Sequence, residues 1–243
     1  MRMERLVLPR RGLWLMLATL ALADECIDEN AGCGNWAQSG ECDRNPGFMH
    51  SACAKSCKTC PAPIDPKLVQ LGDERVTLHV EGHGDIELAF YPNAAPVTVA
   101  HITKLFRMGC YDTNHIFRVD RGFVAQIQSV DNGSVQRPLS AECKAEAQKN
   151  VPAEFTPIRH KRGILSMGRM DDPNSGGSSF SMLLGRAPHL DQQYTVFGEV
   201  LAGDDVLAKL ESVETHKQGI FVMPKERITI TSATMSKDHM KEL

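Results

Sequence analysis

Arg118-Val119-Asp120-Arg121-Gly122-Phe123-Val124-Ala125-Gln126 is the stretch on which the reading of this 243-residue chain turns. With Phe117 it makes a strand-like run, apolar or alternating throughout, and it carries an Arg, a Phe and a Gln at the spacing R-x4-F-x2-Q. Singly, each has an ordinary structural role: Arg118 as a surface ion-pair residue, Phe123 as core, Gln126 as a solvent-facing strand residue. Upstream, Val76, Leu78 and Val80 alternate with polar residues, Gly82-His83-Gly84-Asp85 reads as a turn, and Ile86, Leu88 and Phe90 alternate again. This is a β-hairpin. Pro96 opens a stretch with Val99, Ile102, Leu105 and Phe106 at helical spacing, closed by Gly109. Further strand-like runs fall at Gly163-Met167, Phe180-Leu184, Thr195-Val200 and Arg227-Thr231, and Asp204 is placed to cap a helix carrying Val206, Leu207, Leu210 and Val213. Many short strands with two isolated helices favour a closed or nearly closed antiparallel barrel over a doubly wound sheet.

Composition narrows the function classes. Hydrophobic residues at 42% and charged residues at 23% are those of a globular protein. A formal charge of -3 without a dense Lys/Arg run argues against nucleic acid as the partner. No apolar stretch reaches about 18 residues, which excludes a multispan membrane protein. Arg2, Arg5, Arg10 and Arg11 precede the apolar Gly12 to Leu22, small residues follow, and the chain turns acidic at Asp24. That is the layout of a secretory signal, with cleavage expected after Ala23. Asn132-Gly133-Ser134 is a glycosylation sequon, and Met240-Lys241-Glu242-Leu243 shares its last two residues with an ER-retention tail. The expected location is the secretory pathway, in the ER lumen or outside the cell.

Six of the eight cysteines, Cys26, Cys33, Cys42, Cys53, Cys57 and Cys60, crowd into 35 residues. So short a segment buries too little apolar surface to fold alone, and bridges supply the missing stability. Six cysteines permit 15 pairings, and spacing alone selects none. Zinc is the rival, on Cys57-x2-Cys60 with His50, but an even count in an oxidising compartment favours disulfides. Cys110 and Cys143 are left bridged or free. Pro61-Ala62-Pro63-Ile64-Asp65-Pro66 reads as a domain boundary and the start of a linker over 61–74. No phosphate loop, G-x-S-x-G or metal ligand set is visible, so neither a cofactor nor a metal is expected.

Residues 26–60, with Asp28, Trp36, Gly40, Pro46 and the closing C-x3-C-x2-C, resemble the ShKT domain. The resemblance implies the pairs Cys26-Cys60, Cys33-Cys53 and Cys42-Cys57. The channel-blocking members carry a Lys-Tyr dyad where this chain has Gly47-Phe48, so an accessory module with an unassigned ligand is expected instead of a channel blocker. Residues 75–235 are similar to the cyclophilin domain, on Arg118 to Gln126, Gly163-Ile164-Leu165-Ser166-Met167, Pro173 to Phe180 and Val196-Phe197-Gly198-Glu199-Val200. The resemblance implies an eight-stranded antiparallel closed barrel capped by two helices, and peptidyl-prolyl cis-trans isomerisation without a cofactor. It gives Arg118, Phe123 and Gln126 catalytic roles. It makes Val124 part of the proline pocket and extends the substrate site to Gly168, Arg169, Ser179, Ser181, His189, Leu190 and Tyr194. Proline-containing polypeptides are the implied clients, as a folding assistant in the secretory pathway. Several positions depart from the family. Ser179 stands for the usual Gln, Ser181 for a pocket Phe, Arg169 for Asn, Tyr194 for a common His, and His189 where Trp or His is found. Reduced activity and weak or no cyclosporin binding are the expected consequences, with a non-catalytic proline-binding scaffold as the alternative.

Overall fold

Alternating apolar residues along Glu74–Val80 (β1) and Gly84–Phe90 (β2) put Val76, Leu78, Ile86 and Leu88 on one face, and all four are fully buried. The computed structural model describes residues 26–60, 64–133 and 138–237, and the chain divides into two units between Pro63 and Ile64. The expected leader, residues 61–63 of the linker, Ser134 of the sequon and the retention-like tail lie outside the described residues.

Among the described residues, the first unit holds three short helices, Cys33–Gln38 (α1), Glu41–Arg44 (α2) and Pro46–Ala52 (α3). Its bridges are Cys26–Cys60, Cys33–Cys53 and Cys42–Cys57, the pairs the resemblance implies. Cys57 and Cys60 are therefore spent on disulfides, which overturns the zinc alternative. Asp28 accepts from the Ser56 backbone N–H at 3.0 Å and from its hydroxyl at 2.7 Å, tying the start of the unit to its end. Those Ser56 bonds hold the Asp28 carboxyl below the usual range.

The second unit continues with Pro96–Arg107 (α4), His115–Asp120 (β3), Val124–Ile127 (β4), Val130–Gly133 (α5), Ala141–Ala147 (α6), Ile164–Met167 (β5) and Phe180–Leu183 (β6). Val196–Ala202 (β7), Asp204–Glu211 (α7), Thr215–Gln218 (β8), Phe221–Pro224 (β9) and Ile228–Lys237 (β10) complete it. Among the described residues, eight of these strands close a barrel in the order β1-β10-β3-β4-β6-β5-β7-β2, every pair antiparallel. The interior is aromatic at its centre: Phe180 meets Phe197 edge-on at 5.5 Å and Tyr111 at 5.9 Å, while Phe90 stacks on Phe197 at 6.3 Å. Helices α4 and α7 send Ile102, Leu105, Phe106, Leu207 and Leu210 into the same cluster.

Three local readings change, and one hairpin is added. The run Phe117–Gln126 is two strands, because Gly122 at φ +70° turns the chain between them. Asp204 is the first helical residue instead of the cap, which is Gly203, and its carboxylate accepts from Arg162 Nε at 2.6 Å. The hairpin β8–β9 has no apolar alternation, since it lies outside the barrel and is at most half-buried. Within the stretch read as linker, Ile64, Leu68 and Leu71 pack against an apolar cluster on the barrel's outer surface. The open question on Cys110 and Cys143 resolves to a disulfide.

Helix α4 begins at Pro96 behind Ala95, which has no side chain to cap it. Glu154 replaces the missing cap: its carboxylate accepts from Val97 N at 3.0 Å and Thr98 N at 2.9 Å. The segment leading to the site is thereby tied to a barrel helix.

Candidate active site

Strand period 2 sorts the residues of β4, β6 and β5 between the two faces of the barrel wall. Ala125, Ile127, Phe180, Met182, Leu165 and Met167 join the interior, and the residues between them face outward. On that outer face Val124 stands opposite Leu183 near Ile164, all buried in the outer apolar cluster. One step along, the register aligns Arg118 with Gln126, Gln126 with Ser181, and Ser181 with Ser166. One rung of four strands thus brings together residues distant in sequence, and its chemistry is polar throughout.

The rung opens into a cleft of about 660 Å³, lined by Arg118, Phe123, Val124, Gln126, Gly168, Arg169, Ser179, Ser181, Leu190 and Tyr194 among others. Of the residues singled out from sequence, only His189 is set back. It is exposed and reaches the cleft through Phe123, whose ring it meets at 5.2 Å between centroids. Asn132, the proposed glycan acceptor, is exposed on α5 and donates to Ser129 Oγ at 3.2 Å.

Arg118 is aimed by a bulge. Ile116 pairs with Ile127 and Arg118 with Gln126, so Phe117 is an extra residue in β3. Phe117 packs on Phe221 of β9 at 5.5 Å, and the Arg118 guanidinium lies over Phe123 at 5.2 Å and over Phe221 at 5.7 Å. One nitrogen, Nη2, donates to Asp120 at 3.2 Å. Its Nε is buried and has no partner among the described residues. A fixed cation with an unused donor beside an aromatic wall suits a ligand atom that gains a lone pair.

Gln126 donates through Nε2 to Ser179 Oγ at 3.2 Å, and Ser179 donates to the Ile127 carbonyl at 2.7 Å. Ser179, a departure from the family pattern, therefore orients the amide. Gly168 is held close below it: its N–H donates to Ser179 O at 2.9 Å, and a Cβ there would stand 3.0 Å from that oxygen and 3.2 Å from Gln126 Nε2. Arg169 folds back, stacked over Tyr194 at 4.4 Å and donating to Gln193 O at 3.2 Å and Met170 O at 2.8 Å. It buttresses the rim.

Two supports escaped sequence reasoning. Buried His160 donates from Nδ1 to Asp191 (2.9 Å) and meets Ser166 Oγ at Nε2 (2.9 Å), while Asp191 also accepts from the His160 backbone N–H at 2.7 Å. This chain pins the turn bearing His189 and Leu190 to β5. The second is Glu211 at the end of α7, which accepts from Gly122 N at 3.0 Å and Arg162 Nη1 at 2.7 Å and so holds the turn that presents Phe123. Neither lies in a local pattern; only the fold joins them.

Comparisons with known proteins assign the family. The cyclophilin type peptidyl-prolyl cis-trans isomerase/CLD family matches residues 75–235, and the ShK domain-like family matches residues 25–60. A peptidyl-prolyl cis-trans isomerase of Arabidopsis thaliana is 58% identical over 167 residues, covering 69% of this chain and 73% of the relative. Peptidyl-prolyl cis-trans isomerase B of Escherichia coli is 30% identical over 171 residues, 67% of this chain and 99% of that one. In fold, a cyclophilin type isomerase of Cryptosporidium parvum superposes with a TM-score of 0.57 at 22% identity, over 68% of this chain and 99% of its own. The same parasite enzyme crystallised in the presence of the dipeptide Ala-Pro gives a TM-score of 0.56 at 21% identity, over 67% and 99%. With a closed barrel, a fixed arginine over an aromatic wall and a match across two thirds of its length, the chain belongs to the cyclophilin-type peptidyl-prolyl cis-trans isomerases and carries an ShK-like module ahead of the barrel.

Proposed function

We propose that this isomerase acts on Xaa-Pro bonds of polypeptides in the secretory pathway, in the ER lumen or outside the cell, with Arg118, Phe123 and Gln126 as its catalytic residues. The observation that carries the reading is the Arg118 guanidinium, held over Phe123 with a buried, unpartnered Nε. Rotation about a prolyl bond has a barrier of about 18–20 kcal/mol because it breaks amide resonance. In the twisted state the prolyl nitrogen becomes pyramidal and regains its lone pair, so a donor aimed at it binds that state better than either planar form. Arginine stays charged at physiological pH and already lies in place. Phe123, Val124 and Leu190 receive the ring, and Gln126, its Nε2 occupied by Ser179, offers its carbonyl oxygen to the neighbouring peptide N–H.

The four disulfides suit an oxidising, secretory-type environment. The ShK-like module serves as a second attachment point on a client or membrane protein, and Asn132 as a glycan acceptor. Proline peptides whose exchange is followed by NMR test the assignment. The parent accelerates exchange, and Arg118→Ala lowers kcat/KM about ten- to a hundredfold, the size of a lost charge-assisted hydrogen bond. Equal rates for parent and variant would remove Arg118 from the mechanism. Cyclosporin is expected to bind weakly or not at all, because Ser181 provides no aromatic ring and His189 is set behind Phe123; a titration showing nanomolar affinity would contradict it.

A further inference from the structure

We infer that the cleft prefers 4-hydroxyproline to unmodified proline at the isomerised bond, its ring hydroxyl bound by Ser181 and Ser166. The inference rests on the isomerase reading above and names the substrate class of the same site. Its starting point is the abrupt change along the outer face of the barrel wall. Val124, Leu183 and Ile164 are apolar and buried, and one step away stand Gln126, Ser181 and Ser166. A pyrrolidine ring seated there has apolar atoms toward Phe123, Val124 and Leu190 and its far edge over two hydroxyls.

Orientation follows from the chemistry of the bond. The nitrogen must face the Arg118 guanidinium, which places Cγ, on the opposite side of the five-membered ring, toward the cleft's interior and the Ser181 rung. Ser181 is half-buried and lines the cleft, and its hydroxyl makes no hydrogen bond among the described residues. Covering that hydroxyl with a plain CH2 leaves it unpaired and desolvated, whereas a ring hydroxyl gives it a partner. Ser166 adds an acceptor. Asp191 at His160 Nδ1 fixes the proton there, so Nε2 accepts the Ser166 proton at 2.9 Å and the Ser166 oxygen keeps its lone pairs for a ligand donor. The His160–Asp191 pair thus presets the direction of a hydroxyl in the pocket. Hydroxyproline is a constituent of secreted chains such as collagen, and the disulfides of this chain suit the same oxidising route.

The experiment compares kcat/KM by NMR exchange for paired peptides that differ only in Xaa-Pro against Xaa-(4R)-hydroxyproline and Xaa-(4S)-hydroxyproline, with full-length parent, Ser181→Ala and Ser181→Phe. One hydroxylated diastereomer is expected to exceed proline by roughly two- to tenfold in the parent, the span of one neutral hydrogen bond. That ratio should fall to about one in Ser181→Ala and below one in Ser181→Phe, where a ring fills the polar floor. Proline turned over as well as or better than both diastereomers overturns the preference and leaves the isomerase reading intact. A preference that survives Ser181→Ala overturns the assignment to Ser181. Acceleration of none of the peptides would fall on the isomerase reading itself.

Discussion

At the scale of single residues, the site is built from side chains whose freedom has been removed by their neighbours. Gln126 illustrates it. Its amide is anchored by Ser179 Oγ, which is itself bound to the Ile127 carbonyl, so that the amide is oriented with its carbonyl oxygen and one N–H left for a ligand. Ser179→Ala removes both bonds while leaving the strand register of β4 and β6 untouched. The expected outcome is a rise in KM for proline peptides of about two- to tenfold, with kcat changed less, because the amide must then be ordered on binding. Steady-state kinetics on one peptide checks it, and Ser179→Thr, which keeps the hydroxyl, should restore KM; a fall in kcat alone would mean that Ser179 acts otherwise. Arg118 is fixed in the same manner, by Asp120, Phe123 and Phe221. The spacing R-x4-F-x2-Q was readable in the sequence because all three residues fall within nine positions that resemble the cyclophilin pattern, and that resemblance supplied their roles, whereas the turn at Gly122 between Arg118 and Phe123 was not readable. Nor were Ser166, His160 and Asp191, since their meeting depends on where the turn at Pro188–Leu190 lands against β5.

At the scale of elements, α4 and α6 show how a short helix without a cooperative length is kept in place. Glu146 on α6 accepts from Lys104 of α4 at 2.6 Å and from Lys149 at 2.7 Å, with His101 Nδ1 at 3.5 Å, and the Cys110–Cys143 bridge joins the same two regions. The bonds from Lys104 and Lys149 draw the Glu146 carboxyl down to about 2, while burial lowers the His101 imidazole. A carboxylate whose folded pKa lies below its ordinary value contributes stability that is complete above about pH 4.5 and is lost as the pH falls toward about 2. Glu146→Gln is therefore expected to be less stable than the parent at pH 7 by about 1 kcal/mol, a modest figure because the lysine ends are half exposed and screened. The difference should vanish near pH 2. Urea midpoints across that range check it; a gap that persists at the acid end would assign the loss to packing. Strand and helix periods made β1, β2, α4, β5, β6, β7 and β10 legible, because each is an apolar run that buries one face or, in β5, both. Hairpin β8–β9 buries neither face, α6 is held by partners far away in sequence, and the turn at Gly122 is hidden inside an apolar run.

At the scale of the whole molecule, the two units owe their folds to different physics. The barrel has an interior of branched and aromatic side chains closed by a continuous hydrogen-bonded wall. In the unit before it the buried apolar residues include Cys33, Met49 and Cys53, with Ala54 beside them, so half-cystines supply much of its core. Its bridges close spans of 34, 20 and 15 residues, and each contributes roughly 2–4 kcal/mol, chiefly by restricting the unfolded chain. Reduction therefore removes both the constraint and much of the core there. In the barrel it removes one bridge of similar size, Cys110–Cys143, from a domain with a large hydrophobic interior and typical total stability of about 5–15 kcal/mol. Treating the full chain with a thiol-free reductant and following amide hydrogen exchange by mass spectrometry should show residues 26–60 losing protection entirely. Strands β1, β2, β5, β6 and β7 should keep theirs, and prolyl isomerisation should persist, because Arg118, Phe123 and Gln126 sit on the hydrogen-bonded wall of the barrel. Protection that survives in 26–60 after all cysteines react with an alkylating agent would show that α1, α2 and α3 fold without their bridges, and would transfer the stability of that unit from its disulfides to the packing of Trp36, Phe48 and Met49.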